Sequence, residues 1–408
     1  MKLKVVELFA GVGGFRVGLN NIDAIDKNKA AIENGKWEFV WANQFEPSVK
    51  TQHAFNCYKT RFPNCNVSNE DINKVDKNTI PHHSLLVGGF PCQDYSVAKS
   101  LSSSHGIEGK KGVLFWDIKD VLLIKQTPFI LLENVDRLLK SPSTNRGRDF
   151  AIMLKTFDEL GYNVQWRVID ASNYSMPQKR KRIFIFAYKN TSKYAKTSTY
   201  DNNIFNEVFP CVYDSISHFL DIRQFKNTLE ITQNYNMGSF LDSGSMVDGK
   251  VKHNKIKAVI ENIFTLEQII KNSKSYNANI QDYVVPKDKL EKWKVLKSAK
   301  KKTRITNSGF EYTYSEGNMA FPDDLTKSAR TMLTSEGSIN RSSHIIYDKD
   351  IQNYRILTPI ECELIQMFPP NWTDILPNRA RYFMMGNALV TGIVKRLEPK
   401  LREIIENE

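Results

Sequence analysis

Cys92 stands in the stretch 84–96, SLLVGGFPCQDYS, after a short apolar run (84–87) and two glycines. Pro91 fixes one backbone angle and biases Phe90 toward an extended form, so the loop presents the thiol in a preset direction at a strand's mouth. A thiol so held can serve as a nucleophile, although a small buried cysteine in a strand-to-helix turn has the same local sequence. The stretch 129–135, FILLENV, ends an apolar run in Glu133 and Asn134. A carboxylate at the C-terminal end of a strand in an α/β sheet faces the ligand crevice rather than the core. A third stretch, QKRKR at 178–182, sets Arg180 and Arg182 ahead of another apolar run, 183–188. Three such strand ends would bring a thiol, a carboxylate and guanidinium groups to one rim, which is a nucleophile, a proton carrier and a source of positive charge.

The elements that must position these groups are those of a doubly wound sheet. KVVELF at 4–9 reads as a first strand, followed at once by Ala10, Gly11, Val12, Gly13 and Gly14 and then a helix over 15–20. A strand, a glycine turn and a helix open the unit that holds a nucleotide-like cofactor, because glycine lets ligand atoms approach the backbone. A second strand over 38–42 leads to Gln44 and Glu46, which compete for the ribose-binding place that follows such strands. Asp71 and Ile72 come about a helix later, where an adenine amino group would be held. Residues 99–112, with Ser102 to Ser104 and three glycines, are polar and loosely specified, as a lid over the site would be. A helix over 112–124, another over 149–160 and strands over 164–169 and 183–188 complete the sheet, the last of these being its final strand.

At 408 residues the chain can bury at least one full core, and 41% hydrophobic content fits a globular protein. No run of eighteen apolar residues occurs, and the N-terminal sequence has no signal-type apolar core, so the expectation is a soluble, cytoplasmic protein. Five cysteines, at 57, 65, 92, 211 and 362, form no CxxC pair, which argues against a disulfide framework and against zinc. Fifty-seven basic against 45 acidic residues give a net charge of +12, which suggests a polyanionic partner. The charge is concentrated: 287–304 holds eight lysines and Arg304 against Asp288 and Glu291, with Trp293 among them. Lys300, Lys301, Lys302 and Arg304 are phosphate-contact candidates, and a solvated helix face is the other reading.

From about residue 190 the strand pattern stops, so 191–378 reads as a second, smaller and irregular domain, and 1–190 with 379–408 as the first. Within it, RTMLTSEGSINRSS (330–343) is rich in short hydrogen-bonding side chains. Thr334, Ser335 and Arg341 are candidates there for reading base edges, and ordinary turns have the same composition. Order returns at 353–371, where Thr358, Pro359 and Glu361 spell a capping box with proline in the first turn. Asn387, before the last apolar helix, is either a helix cap or a residue that returns to the first sheet and completes the cofactor pocket.

Taken in this order, the stretches resemble the cytosine-5 DNA methyltransferases, bacterial restriction-modification members in particular. The matching motifs are Phe9, Gly11 and Gly13; Gly89 to Gln93; Glu133 to Val135; Gln178 to Arg182; Arg355 to Glu361; and Gly386 with Asn387. One departure stands out: the family's ribose-binding Glu falls on Gln44. The resemblance implies a Rossmann-like, mostly parallel sheet that binds S-adenosylmethionine through Phe9, Gly11, Gly13, Gly14, Gln44 or Glu46, Asp71, Ile72, Pro91 and Asn387. It implies that Cys92 attacks carbon 6 of a flipped cytosine and that Glu133 protonates ring nitrogen 3. Arg182 would contact oxygen 2, with Arg180 in support. Gln93, Ser96 and Lys99 would lie toward the DNA under the lid, and the irregular domain would recognise the target. It further implies a monomer acting on duplex DNA in the bacterial nucleoid, paired with a restriction endonuclease, with overall similarity leaning toward members that recognise GATC. No metal is implied. An RNA cytosine-5 methyltransferase would share the thiol and carboxylate, a dinucleotide oxidoreductase would share only the first turn and sheet, and a non-catalytic DNA-binding protein on the same scaffold is the third alternative.

Overall fold

The computed structural model describes residues 2–90, 114–277, 279–305, 309 and 311–408. Two compact units emerge: residues 1–174 with 181–261 and 391–408, and residues 175–180 with 262–390.

The first unit is built on strands β1 (Lys4–Leu8), β2 (Glu38–Asn43), β3 (Val67–Ser68), β4 (Leu85–Gly89), β5 (Phe129–Val135), β6 (Tyr162–Asp170), β7 (Lys181–Lys189), β8 (Cys211–Asp221), β9 (Ser243–Val247) and β10 (Lys250–Ala258). They form one ten-stranded sheet in the order β3-β2-β1-β4-β5-β7-β6-β9-β10-β8. Pairing from β3 through β5 is parallel, and the largely apolar β1, β4 and β5 suit strands covered on both faces. Val5, Val6, Leu85, Leu86, Ile130 and Leu132 are fully buried. Beyond β5 every pairing is antiparallel.

The expected end of the sheet at 188 is corrected here, and with it the domain boundary at 190. β9 pairs β6, and β10 and β8 follow, so the open edge of β6 is extended by strands that come after β7 closes at Lys189, β9 itself 54 residues later. Their composition hides them: β10 (KVKHNKIKA) alternates lysine with apolar residues, and β8 exposes Val212, Ile216 and Phe219. The other boundary also moves, because residues 379–390 belong with the second unit and only 391–408 with the first.

The closing helix, Thr391–Glu406, does return to the first sheet's unit. It packs on the helix Gly14–Leu19, where a Cβ on Gly18 would stand 2.5 Å from Val394 Cβ, so only glycine admits the contact. Trp37 Nε1 donates to Glu398 at 3.0 Å, and Arg396 makes a paired contact with Glu261 at 2.7 and 2.9 Å.

The second unit holds the helices Leu266–Ser273, Lys287–Lys297, Pro359–Ile365 and Asn378–Asn387 and two small antiparallel sheets. One pairs β11 (Lys300–Ile305) with β12 (Glu311–Glu316), and the other pairs β13 (Ile345–Asp348) with β14 (Asn353–Ile356). Thr358 caps Pro359–Ile365 as its sequence predicts: Glu361 N donates to Thr358 Oγ1 at 3.1 Å and Thr358 N to Glu361 Oε2 at 2.8 Å. Glu361 is also held by Arg355, whose guanidinium reaches it at 2.7 and 2.8 Å and reaches Asp348 at 2.7 Å. All three side chains are buried, so each charge relies on the others. Replacing Arg355 by leucine leaves two buried carboxylates without their cation and should cost about 3–5 kcal/mol in denaturant unfolding of the second unit.

Candidate active site

Where β1 ends, Phe9 turns the backbone to φ +54, and Gly11 and Gly13 follow at φ +56 and +89. At Gly13 the turn is tight: a Cβ there would stand 2.8 Å from Phe62 Cε2. At Gly11 nothing lies within 4 Å of where a Cβ would be, so the main chain is open to a ligand on that side. The turn is braced from β2, since Ala10 N donates to Asn43 O at 3.0 Å and Gly11 N donates to Gln44 Oε1 at 2.7 Å.

That last bond bears on the two ribose candidates. Gln44 is buried and its amide oxygen serves the glycine turn. Glu46 is half-buried, and desolvation raises its carboxyl above the ordinary value. Asp71 caps a short turn, accepting from Asn73 N at 3.1 Å and Asn73 Nδ2 at 3.0 Å. Ile72 is 3% exposed and sits within the hydrophobic core.

Sequence reasoning missed Glu7. Its carboxyl, on β1 directly before the turn, is fully buried, accepts from Tyr58 Oη at 2.9 Å and lies against the amides of Phe15 and Arg16. Burial pushes it up from 4.5 to about 7, with Tyr58 and Arg16 opposing the shift. The signal was present as an acidic residue inside an otherwise apolar strand. Arg16 is in turn held by Glu33 at 2.7 Å and lies over the rings of Phe39 and Phe62 at 4.8 and 4.0 Å.

On the neighbouring strands, Gly89 of β4 is in register with Glu133 of β5, and Val135 with Arg182 of β7. The result is an ion pair at the strand ends: Arg182 Nε lies 2.9 Å from Glu133 Oε1, with 18% and 14% of the two side chains exposed. Asn134 is buried and donates to Phe90 O at 2.8 Å, fixing the last residue before the Pro91–Cys92 loop. Pro91, Cys92, Gln93, Ser96, Lys99 and the expected lid lie outside the described residues.

In the second unit, Arg180 is buried and donates to Met332 O at 3.1 Å and Gly386 O at 3.0 Å, while Gln178 Oε1 accepts from Met332 N at 3.1 Å. Arg180 thus ties 330–334 to the end of the helix Asn378–Asn387, a supporting role in the framework of its own unit. Asn387 is exposed as the last residue of that helix. Arg341 is a correction: its guanidinium donates to Leu296 O at 2.7 Å, Ser298 O at 2.8 Å and Gly317 O, so it anchors the main chain rather than presenting its donors to bases. Thr334 is exposed and Ser335 half-buried. Lys301 and Arg304 are exposed and Lys300 half-buried, while the Lys302 side chain lies outside the description. Within the same basic run Lys297 is buried, 3.5 Å from Asp323. Among the described residues no group of three or more His, Cys, Asp or Glu is arranged to hold a metal ion, and no helix is long and apolar enough to cross a membrane.

A mixed sheet, parallel from β3 to β5, whose first strand runs through a glycine turn into a helix and whose adjacent strand ends carry a carboxylate–guanidinium pair, is the architecture of a nucleotide-binding α/β protein. The family model for C-5 cytosine-specific DNA methylases matches residues 3–403, and the chain belongs to that family. It is an enzyme that methylates cytosine in DNA at carbon 5. Type II methyltransferase M.Sau3AI of Staphylococcus aureus is 45% identical to it, over 99% of this chain and 96% of that protein. Type II methyltransferase M1.ScrFI of Lactococcus lactis subsp. cremoris is 25% identical, over 99% and 79%. The crystal structure of S. pombe Dnmt2 methyltransferase shares the fold with a TM-score of 0.58 at 15% identity, covering 98% of each chain.

The Glu7 carboxyl gives the first unit a pH signature. Unfolded, it ionises near 4.5; folded, it stays protonated until about pH 7. Its contribution to stability is therefore full below about 4.5 and is lost as pH rises through about 7. Glu7→Gln lacks this titration, so its stability relative to the parent should rise by up to about 3 kcal/mol between pH 4.5 and 8. Denaturant titrations of both proteins across that range measure it, and parallel curves would refute the assignment.

Proposed function

We propose that the chain methylates the cytosine of a short duplex site, with GATC as the site, using S-adenosylmethionine, and that it protects this site from a paired restriction endonuclease. The observation that supports this best is the Glu133–Arg182 pair, 2.9 Å apart beside the strand end from which the chain runs into Pro91 and Cys92. Full-length similarity to a type II methyltransferase supports the restriction-modification setting. We take the enzyme to act as a monomer in the bacterial cytoplasm, on nucleoid DNA.

Carbon 5 of cytosine is a poor nucleophile, so electrons must first enter the ring. Cys92 does this as the thiolate, forming a bond to carbon 6 and sending charge toward ring nitrogen 3. Glu133 delivers a proton there and so removes the charge that the attack creates. Arg182, held on Glu133, keeps that carboxyl oriented and offers N–H donors to oxygen 2. The open main chain at Gly11 and the half-buried carboxyl of Glu46 fit a nucleoside-bearing ligand with ribose hydroxyls. Phe9, Gly11, Gly13, Gly14, Glu46 and Asn387 would hold S-adenosylmethionine, which supplies an electrophilic methyl group on a sulfonium. Gln44 contributes by bracing the turn, and Asp71 and Ile72 are taken to hold the adenine amino group. Once carbon 5 carries the methyl group, its proton leaves to solvent, the electron pair re-forms the 5,6 double bond and expels Cys92 as thiolate, and Glu133 takes back the proton from nitrogen 3. A base inside a duplex cannot reach these groups, so the cytosine leaves the stack at a cost of a few kcal/mol. Gln93, Ser96 and Lys99 are taken to contact the DNA. Thr334 and Ser335 are taken to read base edges.

Incubation with labelled methyl donor and duplex DNA, RNA or neither tests the substrate, and bisulfite sequencing of DNA from expressing cells tests the site. Cys92→Ser should abolish methyl transfer while leaving specific DNA binding largely intact, and turnover in that variant would exclude the thiol. Glu133→Gln should lower the methyl-transfer rate by about 10²–10⁴-fold, read in single-turnover assays. Replacing Lys300, Lys301 and Lys302 by alanine should weaken binding to all duplexes alike and reduce its salt slope by about one for each lysine that meets a phosphate, as a salt titration would show.

A further inference from the structure

The β11–β12 hairpin is a ribbon without a core. Its two strands pair only with each other among the described residues, and neither face is covered: Ile305 is 70% exposed and Tyr312 39%. A two-stranded hairpin of this kind is marginal in water by itself, so something must hold it out. Its root supplies that. Arg341 bonds Leu296 O and Ser298 O just before β11 and Gly317 O just after β12, and its Nε lies 3.4 Å from Glu316. Ala299 N to Asn318 Oδ1 at 2.6 Å and Met319 N to Lys297 O at 2.8 Å close the same junction.

The register divides the ribbon into two unlike faces. Lys300, Arg304, Tyr312, Tyr314 and Glu316 share one; Lys301, Thr303, Ile305, Glu311, Thr313 and Ser315 share the other. On the first face the Arg304 guanidinium lies 3.8 Å from the centre of the Tyr314 ring, which holds its planar fork in one orientation. Four cations at 300–304 stand against Glu311 and Glu316, and Glu316 is engaged by Arg341 and Tyr314. Strands about 4.8 Å apart and six residues long, about 20 Å, suit a major groove about 12 Å wide.

We infer that the β11–β12 ribbon lies in the major groove of the substrate duplex, with Arg304 bonded to a guanine edge and the flanking lysines on phosphates. The inference rests on DNA being the substrate. Duplexes treated with dimethyl sulfate test it, because the reagent blocks guanine N7 in the major groove and adenine N3 in the minor groove. The parent protein should be excluded by modification of a particular guanine. Arg304→Ala should bind the unmodified site about 5- to 150-fold more weakly and lose sensitivity to that guanine. Arg304→Gln should also lose that sensitivity, which guards against a misfolded alanine variant. Unchanged interference in both variants, interference confined to adenine N3, or an equal loss on every sequence would overturn the inference. Methyl transfer by the parent protein is scored on the same duplexes: if it fails, the substrate assignment fails, and if it succeeds while Arg304 proves indifferent, only the ribbon's placement does.

Discussion

The reactive rim depends on the register of β7 against β5. That pairing sets Val135 across from Arg182, and Arg182 then reaches back to Glu133, two residues earlier on β5. A slip of one residue would turn Arg182 to the other face of the sheet and remove the cation from the carboxylate. The register is secured by burial rather than by the pair itself, since Ile183, Phe184, Ile185 and Phe186 on one strand and Ile130, Leu131 and Leu132 on the other are essentially buried. A polar contact with a seventh or so of its surface in solvent could not hold two strands, whereas each of these side chains contributes about 1.5–3 kcal/mol by leaving water.

Behind this rim the glycine turn has its own support, and much of it is polar. Gln44 bonds the turn from one side, and Glu7 lies beneath it with Tyr58 and Arg16. The departure at Gln44 from the family's expected acidic residue thus has a physical counterpart: an amide oxygen accepts the Gly11 N–H without a charge at that buried place. Glu46 stands two residues on, half in solvent, where a carboxylate costs less.

Much of this was legible in the sequence where one local signal decided the outcome. Apolar runs gave β1, β4 and β5, glycines gave the turn, and Thr358 with Glu361 gave a cap that forms as written. The strand ends at Glu133 and Arg182 were legible for the same reason. β8 to β10 were not, because an edge extension half open to solvent mixes lysine and apolar residues as an irregular segment does, and its partner β6 is far away in sequence. Arg341 was misread because composition cannot tell a guanidinium aimed outward from one wrapped by three carbonyls. Glu7 escaped because a single carboxyl in a strand says nothing of its burial until Tyr58 is seen above it.

The helix Thr391–Glu406 has a consequence for how the molecule comes into being. It is made well after the helix Gly14–Leu19 that it covers, and the bond from Trp37 to Glu398 spans 361 positions. While the ribosome is still working, the helix behind the glycine turn has its apolar side uncovered, and contacts of such separation form late. The nascent polypeptide therefore carries an unfinished first unit until residues 391–406 have emerged, and a product terminated before them would lack the seal on the helix that follows the turn.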